Sequence, residues 1–297
     1  MRRAAVAGAL TLAVLAAAAF AARGCEEAPR PRARMPALPA PLPPEPEPDP
    51  GLPAPPAAGP PSVRPPSPPP PPPPAPAPRA GTGAIVGTVS LDGPPPPRRR
   101  IRMDAVPQCA ARHASPPPAD DLVVDREGRM RWAFVYVKSG PGARRFPPPR
   151  APVFLEQRGC MYVPHVLGVQ VDQDLVVRNE DELLHDVRML PFANRERNFA
   201  QPSFGSEDTV RFSAPELMVR IKCDVHPWMS AWVGVLEHPF FAVTDDLGGY
   251  AIAGLPAGRY RIGVWHERTA PEDREVDVPE GGQVEAEFHL RLGAESR

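Results

Sequence analysis

The sequence predicts an all-β protein made of packed antiparallel sheets, and two observations support this. Short apolar runs recur from residue 84 to residue 292, and each ends at a glycine, a proline or a charged turn. No segment shows sustained helical periodicity with capping residues. Many short strands at regular spacing are typical of a β-sandwich or a Greek-key barrel.

Residues 1–25 are predicted to be a signal peptide or membrane anchor. Met1-Arg2-Arg3 supplies positive charge, and the apolar stretch Ala4–Ala22 follows it. Ala19-Phe20-Ala21 offers a cleavage site, Gly24-Cys25 makes Cys25 a candidate for lipidation, and an uncleaved apolar helix could cross a bilayer. We therefore expect an exported protein of the periplasm or cell envelope, either free or tethered to the membrane through its N-terminus.

Residues 26–80 are predicted to be a disordered, proline-rich linker. The chain has 48 prolines, and the unbroken run Pro68–Pro74 lies in this segment. Such a composition cannot bury a core and favours extended polyproline II, which would reach on the order of 150 Å at about 3.1 Å per residue. We interpret the segment as a stalk.

The overall charge argues against two classes of partner. The chain has 34 basic and 35 acidic residues, for a formal net charge of −1. A balanced charge gives no reason to expect nucleic acid or an anionic membrane surface as the main partner.

The foldable part divides into residues 81–238 and 239–293. The first part carries the alternating run Leu217–Cys223, in which every second side chain shares one face, so Cys223 points inward where the strand ends. The predicted strands before it and after it are Ala84–Leu91, Asp121–Val124, Trp132–Lys138, Pro152–Gln157, two strands within Val166–Arg178, Phe240–Asp245, Leu255–Ile262 and Val284–Leu292.

A candidate metal site follows that alternating strand. Cys223, His226 and Met229 put a thiolate, an imidazole and a thioether within seven residues, and His185 is the candidate for a fourth donor. This donor set selects copper in a trigonal electron-transfer site. Cys223 could instead pair in a disulfide or bind zinc with a histidine, but zinc has little use for a thioether.

The same residues resemble the cupredoxin family. The run Tyr162–Val169, the strand Leu175–Asn179, His185 and the Cys-x-x-His-x-x-Met loop follow one another as in plastocyanin-like proteins, and the loop spacing is most similar to amicyanin. The resemblance covers about residues 121–237. It implies a Greek-key sandwich that binds one type 1 copper ion through His185, Cys223, His226 and Met229. It also implies single-electron transfer with a redox protein partner.

Asn179 is the residue expected to support this site. Its side chain would tie the His185 loop to the loop that carries Cys223, as groups next to metal ligands commonly do.

The C-terminal part resembles the transthyretin-like fold of carboxypeptidase regulatory-like domains. The residues that carry the likeness are Thr244-Asp245, Gly249-Tyr250 and Leu255-Pro256-Ala257-Gly258-Arg259-Tyr260. Such domains begin with a Gly-x-Val type of strand, and Ala84–Val89 fits that strand well. A binding function, for copper alone or for carbohydrate of the cell wall, is therefore the alternative to electron transfer.

Two further cysteines leave two interpretations open. Cys109 and Cys160 would pair in an exported chain, which leaves Cys223 as a free thiolate. Alternatively, the two cysteines with His113 and His165 form a second soft metal site. His266 follows Val264-Trp265 and has no assigned role.

The sequence favours a carrier over an enzyme. Multicopper oxidases need His-x-His pairs, and the seven histidines of the chain contain none. Trp228 next to the candidate ligands would either pack against the domain or contribute to a docking patch for a redox partner.

Overall fold

The computed structural model describes residues 82–293 and confirms the all-β prediction. Within these residues the helical structure is one four-residue helix, and no helix is long and apolar enough to cross a membrane. The predicted signal segment, the linker and Cys25 lie outside the described residues. The elements, in chain order, are β1 (Gly83–Leu91), α1 (Pro107–Ala110), β2 (Val123–Val124), β3 (Met130–Arg131), β4 (Phe134–Ser139), β5 (Val153–Gln157), β6 (Tyr162–Val163), β7 (Val166–Gln170), β8 (Leu175–Asn179), β9 (His185–Leu190), β10 (Arg197–Gln201), β11 (Glu207–Val210), β12 (Glu216–Lys222), β13 (Ser230–Leu236), β14 (Phe241–Val243), β15 (Gly249–Leu255), β16 (Gly258–Trp265), β17 (Glu272–Val278), β18 (Gln283–Glu285) and β19 (Phe288–Leu290).

The candidate metal ligands lie in a sandwich of two sheets. One sheet has the order β10-β9-β12-β13-β7 and the other has the order β11-β8-β5-β6. Alternate residues of each strand point into one shared apolar core, as the period of two in a half-buried strand requires. Leu155, Val177, Met189, Ile221 and Val233 represent five of these strands in the core and are fully buried.

A second sandwich combines the two ends of the described chain. Strand β1 lies between β15 and β18 and also pairs with β19, and a second sheet has the order β14-β4-β16-β17. The antiparallel register of β1 with β15 runs from Ala84 opposite Ala253 to Thr88 opposite Gly249. The N-terminal strand thus completes the C-terminal module, the arrangement that the sequence suggested for residues 84–91.

The domain boundary drawn from the sequence misplaces a further strand. The predicted boundary places residues 81–238, apart from that first strand, in one domain, yet β4 (Phe134–Ser139) pairs with β14 and β16 of the C-terminal module. Phe134, Val135 and Val137 are all buried, so the strand shows an almost continuous apolar run. Such a run does not indicate which sheet it joins, because strand partners are chosen by contacts distant in sequence.

The two sandwiches meet at a small apolar cluster. Phe134 packs there with Val166 and Met218, and its ring also stacks on Phe241 at a centroid distance of 5.5 Å. Gly234 makes room for the Phe134 ring, since a Cβ at that position would lie 2.4 Å from it.

Gly87→Ala is expected to destabilise the protein by about 3 kcal/mol, because overpacking against backbone cannot be relieved by a rotamer change. The new Cβ would lie 1.9 Å from the carbonyl oxygen of Ala286. Denaturant unfolding measures the effect, and Gly293→Ala is the control because its nearest contact is 3.8 Å away at Arg268 O. Equal stability of the two variants would contradict the position of β1 inside the C-terminal sandwich.

Candidate metal centre

The strand pairing brings the two halves of the candidate centre together. Strand β9 begins at His185 and pairs antiparallel with the end of β12, where Lys222 lies opposite Arg188. The residues after Lys222 therefore run alongside the start of β9. Since Cys223 follows β12 directly, the thiol and the His185 imidazole meet at one end of the five-stranded sheet.

Backbone hydrogen bonds close the ligand loop between β12 and β13. The Cys223 amide donates to the Met229 carbonyl oxygen at 3.2 Å, and the Met229 amide donates to the His226 carbonyl oxygen at 2.9 Å. Pro227 fixes one φ angle within this turn. The loop is therefore held by its own backbone.

Three of the four predicted ligands converge. Nδ1 of His185 lies 3.0 Å from Nδ1 of His226, and Sγ of Cys223 lies 3.7 Å from the same His226 nitrogen. The three donor atoms lie within 4.8 Å of one another. Their side chains are 0–2% exposed, so the donors face one another away from solvent.

The fourth predicted ligand, Met229, belongs to the same core. Its side chain is fully buried among the apolar residues of the sandwich that also contains Cys223. Its backbone lies beside the other candidate donors, because its carbonyl oxygen accepts the Cys223 amide and its amide donates to the His226 carbonyl oxygen.

Hydrogen bonds stabilise the thiolate form of Cys223. Burial alone raises the pKa of this thiol, but hydrogen bonds from the imidazoles of His185 and His226 outweigh it and lower the pKa to about 6. The Cys223 sulfur also accepts the backbone amides of Asp186 at 3.3 Å and His226 at 3.4 Å. A thiolate is the form that binds metal, so the site holds its sulfur ready for an ion.

In the metal-free protein the ultraviolet absorbance of the Cys223 thiolate is expected to appear with a midpoint near pH 6. An ordinary cysteine titrates near pH 8.5. A pH titration of absorbance measures this, and Cys223→Ser is the control because Cys223 is the free cysteine of the described chain. A midpoint at or above the ordinary value would contradict the hydrogen-bonded thiolate.

Asp181 holds the far side of His185, and sequence reasoning missed it. Its Oδ2 accepts from His185 Nε2 at 3.0 Å and from the Cys160 amide at 2.7 Å. Its Oδ1 accepts the Gly159 amide at 2.8 Å and pairs with Arg112 at 3.2 Å. With Nε2 bonded to a carboxylate, His185 presents Nδ1 to the cluster.

The titration of this pair agrees with its geometry. Burial lowers the pKa of His185, but its contacts with Asp181 and Cys223 outweigh burial and raise it. Burial raises the pKa of Asp181, whereas the hydrogen bonds from His185 and the Cys160 and Gly159 amides lower it overall. The only sequence signal for Asp181 is an acidic residue four positions before a candidate ligand, and such spacing is too common to point to a role.

The prediction for Asn179 is corrected. Its Nδ2 donates to the carbonyl oxygens of Leu183 at 2.8 Å and Gln201 at 3.0 Å, and its Oδ1 accepts the Asp181 amide at 2.8 Å. Asn179 therefore shapes the loop that carries Asp181 and His185 and makes no bond to the Cys223 loop. The reason is its place at the end of β8, in the other sheet of the sandwich.

Cys109 and Cys160 form a disulfide that lies against the second imidazole. Both cysteines are fully buried, and Cys109 Sγ lies 3.5 Å from His226 Nε2. The Cys160 carbonyl oxygen accepts the indole N–H of Trp228 at 3.0 Å. Nε2 of each candidate imidazole thus has a partner, which is Asp181 for His185 and Cys109 Sγ for His226. Asp181 is hydrogen-bonded to the Cys160 amide, and Cys109 is bonded to Cys160 through the disulfide.

The alternative site of Cys109, Cys160, His113 and His165 is corrected. The sulfurs are bonded to each other, and His113 Nε2 contacts the Gly159 carbonyl oxygen at 2.8 Å. His165 contacts the Ser230 carbonyl oxygen through Nδ1 and Glu267 through Nε2. These contacts occupy the two histidines, so the four residues do not converge.

The two remaining candidates, His266 and Trp228, both make packing contacts. His266 is buried, which lowers its pKa to about 4, and its Nδ1 accepts the Arg268 amide at 3.2 Å. Trp228 is half-buried with its ring 5.3 Å from that of His226. Its bond to the Cys160 carbonyl oxygen anchors it in the packing around the centre.

The donor set fits copper better than other common metals. Two imidazole nitrogens and one thiolate suit a trigonal copper site with a weak thioether nearby, whereas structural zinc prefers four tetrahedral nitrogen, sulfur or carboxylate ligands. His185, His226 and Cys223 supply the three strong donors, and each is held by hydrogen bonds before any ion arrives. The residues present therefore fit a copper ion.

No family model and no curated protein matches the sequence. Solved structures that match include a copper-containing nitrite reductase from Thermus scotoductus SA-01, with 23% identity and a TM-score of 0.26 over 33% of this chain and 24% of the reductase. The chain thus corresponds to about a quarter of that enzyme's length.

Two smaller proteins match over almost their whole length. A purple cupredoxin from Nitrosopumilus maritimus is 18% identical, with a TM-score of 0.24. The match covers 28% of this chain and 98% of the purple cupredoxin chain. Amicyanin from Paracoccus versutus is 16% identical with a TM-score of 0.25, and covers 34% of this chain and 96% of its own. Because these scores are low, the assignment of the centre rests on the contacts described above.

Proposed function

We propose that this chain is an exported cupredoxin-like protein that carries single electrons in the cell envelope through one type 1 copper ion. The observation that carries the proposal is the convergence of His185 Nδ1, His226 Nδ1 and Cys223 Sγ in a buried cluster. Export rests on the N-terminal segment of the sequence, and the partner is a redox protein of the same compartment.

The chain's own contribution is to fix the donors. Copper bound there would supply a one-electron couple between Cu(II) and Cu(I). Asp181 orients His185, the disulfide faces Nε2 of His226, and two backbone amides fix the Cys223 sulfur. Donors held in this way move little when charge changes, which keeps the energetic cost of electron exchange small.

Burial supports a carrier over an enzyme. The donor side chains are 0–2% exposed, and Met229 fills the neighbouring core position. A small substrate would have to displace packed side chains to reach them, whereas an electron needs no such path. Single-electron exchange is therefore the chemistry that this geometry favours.

Reconstitution of the purified full chain with Cu(II) tests the proposal. We expect one copper ion per chain, an intense visible thiolate-to-copper absorption band, and loss of that band on adding one electron equivalent. Excess Zn(II) should not displace the ion readily. Only the weak absorption of ordinary nitrogen- and oxygen-bound Cu(II) would overturn the proposed function.

Asp181→Asn is expected to weaken Cu(II) binding by about 10- to 100-fold, the usual cost of losing the partner of a ligand histidine. The amide removes the negative charge that His185 Nε2, two backbone amides and Arg112 all contact. Competition with a chelator measures the affinity. Glu182→Gln is the matched control, since it removes the same charge from an exposed neighbour. Equal affinities for the two variants would contradict the role of Asp181.

A further inference from the structure

The disulfide and His226 form a second cluster of soft donor atoms. Sγ of Cys109, Sγ of Cys160 and a ring nitrogen of His226 lie within 4.8 Å of one another, and the closest pair is Cys109 Sγ to His226 Nε2 at 3.5 Å. This cluster meets the imidazole at Nε2, whereas the first cluster meets it at Nδ1. One imidazole therefore lies between two groups of sulfur and nitrogen donors.

We propose that reduction of the Cys109–Cys160 disulfide opens a second metal site, in which two thiolates and His226 Nε2 hold a Cu(I) ion. Thiolates select monovalent copper over harder ions, and two sulfurs with one imidazole complete a three-coordinate site. The inference rests on the proposed function only in taking copper as the ion at the first site. The His226 ring would then bridge the two ions.

The redox step balances with a dithiol as reductant. The dithiol gives two electrons and two protons, the bond between Cys109 and Cys160 breaks, two cysteine thiols form, and the reductant becomes a disulfide. Each cysteine thiol then releases its proton when its sulfur binds Cu(I), and His226 releases its ring N–H proton to the solvent because both of its ring nitrogens bind copper. No step needs an electron from the first copper site.

The segment that carries Cys109, residues 98–119 between β1 and β2, can open without breaking a sheet. Its backbone–backbone hydrogen bonds stay within the segment. The Ile101 amide donates to the Pro117 carbonyl oxygen at 2.8 Å, and the Ala119 amide donates to the Arg99 carbonyl oxygen at 2.8 Å. It belongs to none of the sheets of the described chain. A reductant can therefore reach the buried sulfurs without breaking sheet hydrogen bonds, but the segment must withdraw Ile101, Met103 and Ala119 from the apolar core as it opens.

The charged groups around the second site affect which ion it would bind. Two thiolates, the bridging His226 imidazolate and one Cu(I) carry a net charge of −2, next to the Asp181 carboxylate that already contacts the Cys160 amide. Arg112 pairs with Asp181 at 3.2 Å and lies on the same segment as Cys109, so a positive group moves with the site. Arg112 offsets part of this negative charge, and the two thiolates select Cu(I) by their softness and not by charge.

The consequence would be a copper load that depends on thiol redox state. With the disulfide closed the chain holds one ion, and with the disulfide open it holds two ions that share His226. The centre would thereby report the reducing power of its compartment as well as carry electrons.

Counting Cu(I) on the full chain tests the proposal. The protein is prepared with the disulfide intact or reduced with dithiothreitol, freed of reductant without air, and titrated with Cu(I) against a Cu(I) chelator. We expect the number bound per chain to rise from one to two on reduction. Cys109→Ser/Cys160→Ser should show no rise in the Cu(I) count on reduction, whatever its affinity for the first ion.

Each outcome separates the two proposals. A reduced wild-type chain that shows the blue band with Cu(II) but binds one Cu(I) would overturn the second site alone. A second ion on the double serine variant would also overturn it, because that ion must lie elsewhere. Absence of the blue band counts against the proposed function, and a Cu(I) count that does not rise on reduction overturns the second site whether or not the band is present.

X-ray absorption of the wild-type protein gives a measurement that does not need a variant to fold. With the disulfide closed, one thiolate sulfur binds one copper ion. With the disulfide open, three thiolate sulfurs bind two copper ions, so the average number of thiolate sulfurs per copper should rise. An unchanged sulfur count per copper after reduction would contradict the two-thiolate site.

Discussion

Cys223→Ser is expected to abolish the intense visible band of the copper-loaded protein. The band requires a thiolate bonded to Cu(II), and Cys223 is the free cysteine of the described chain, since the other two are paired. A serine hydroxyl remains protonated near neutral pH and is a far weaker soft donor. Visible absorption with one equivalent of Cu(II) measures the effect, and copper affinity should also fall.

The control for this variant is the next residue in the chain. Asp224 is exposed and pairs with Lys222 at 2.7 Å and with Arg188 at 3.2 Å. Asp224→Asn changes charge at the same loop but leaves every donor atom in place, so the band should persist. A Cys223→Ser protein that keeps its band would show that the sulfur bound to copper is not Cys223.

The convergence of the candidate donors could be predicted in part, because three of the four candidates lie close together in the chain. Cys223, His226 and Met229 lie in one loop after an alternating strand, and the period of two fixes which face Cys223 occupies. His185 was a candidate because it follows the predicted strand Leu175–Asn179, in the order that the resemblance implies. Short spacing and strand alternation pointed to Cys223, His226 and Met229, and the resemblance added His185.

The supports of the ligands could not be predicted in the same way. Cys109 and His226 are 117 residues apart, and no local pattern indicates that the disulfide would lie against that imidazole. Asp181 became visible only when its contacts with His185 and Cys160 were known. Such contacts depend on how loops of different sheets fold together, which the hydrophobic pattern does not encode.

The fold shows the same difference between what local sequence patterns predict and what depends on contacts distant in the chain. Alternation and turn residues predicted the strands and the all-β class, whereas the partner of β4 depended on long-range pairing. The C-terminal sheets include β1, which lies about 160 residues before β15 in the chain. Strand existence is a local property, and strand partnership is not.

Removal of the disulfide by Cys109→Ser/Cys160→Ser is expected to lower the free energy of unfolding by about 4 kcal/mol. The two cysteines are separated by 51 residues, and the loop-closure estimate for a loop of that size gives this figure. Denaturant unfolding of the metal-free protein measures it. Ser115→Ala, an exposed change on the same segment, is the control and should leave stability unchanged.

The same variant should disturb the copper centre, because the disulfide touches His226 and Cys160 carries the backbone amide that Asp181 accepts. Without the disulfide the His226 side chain is held less firmly, and its position relative to the other donors varies more from molecule to molecule. The blue band should therefore broaden and copper affinity should fall, even in variant protein that remains folded. Asp181→Asn with the disulfide intact isolates the effect on His185 and separates it from the effect on His226. A double serine variant with wild-type stability and an unchanged band would show that the disulfide supports neither the fold nor the ligand.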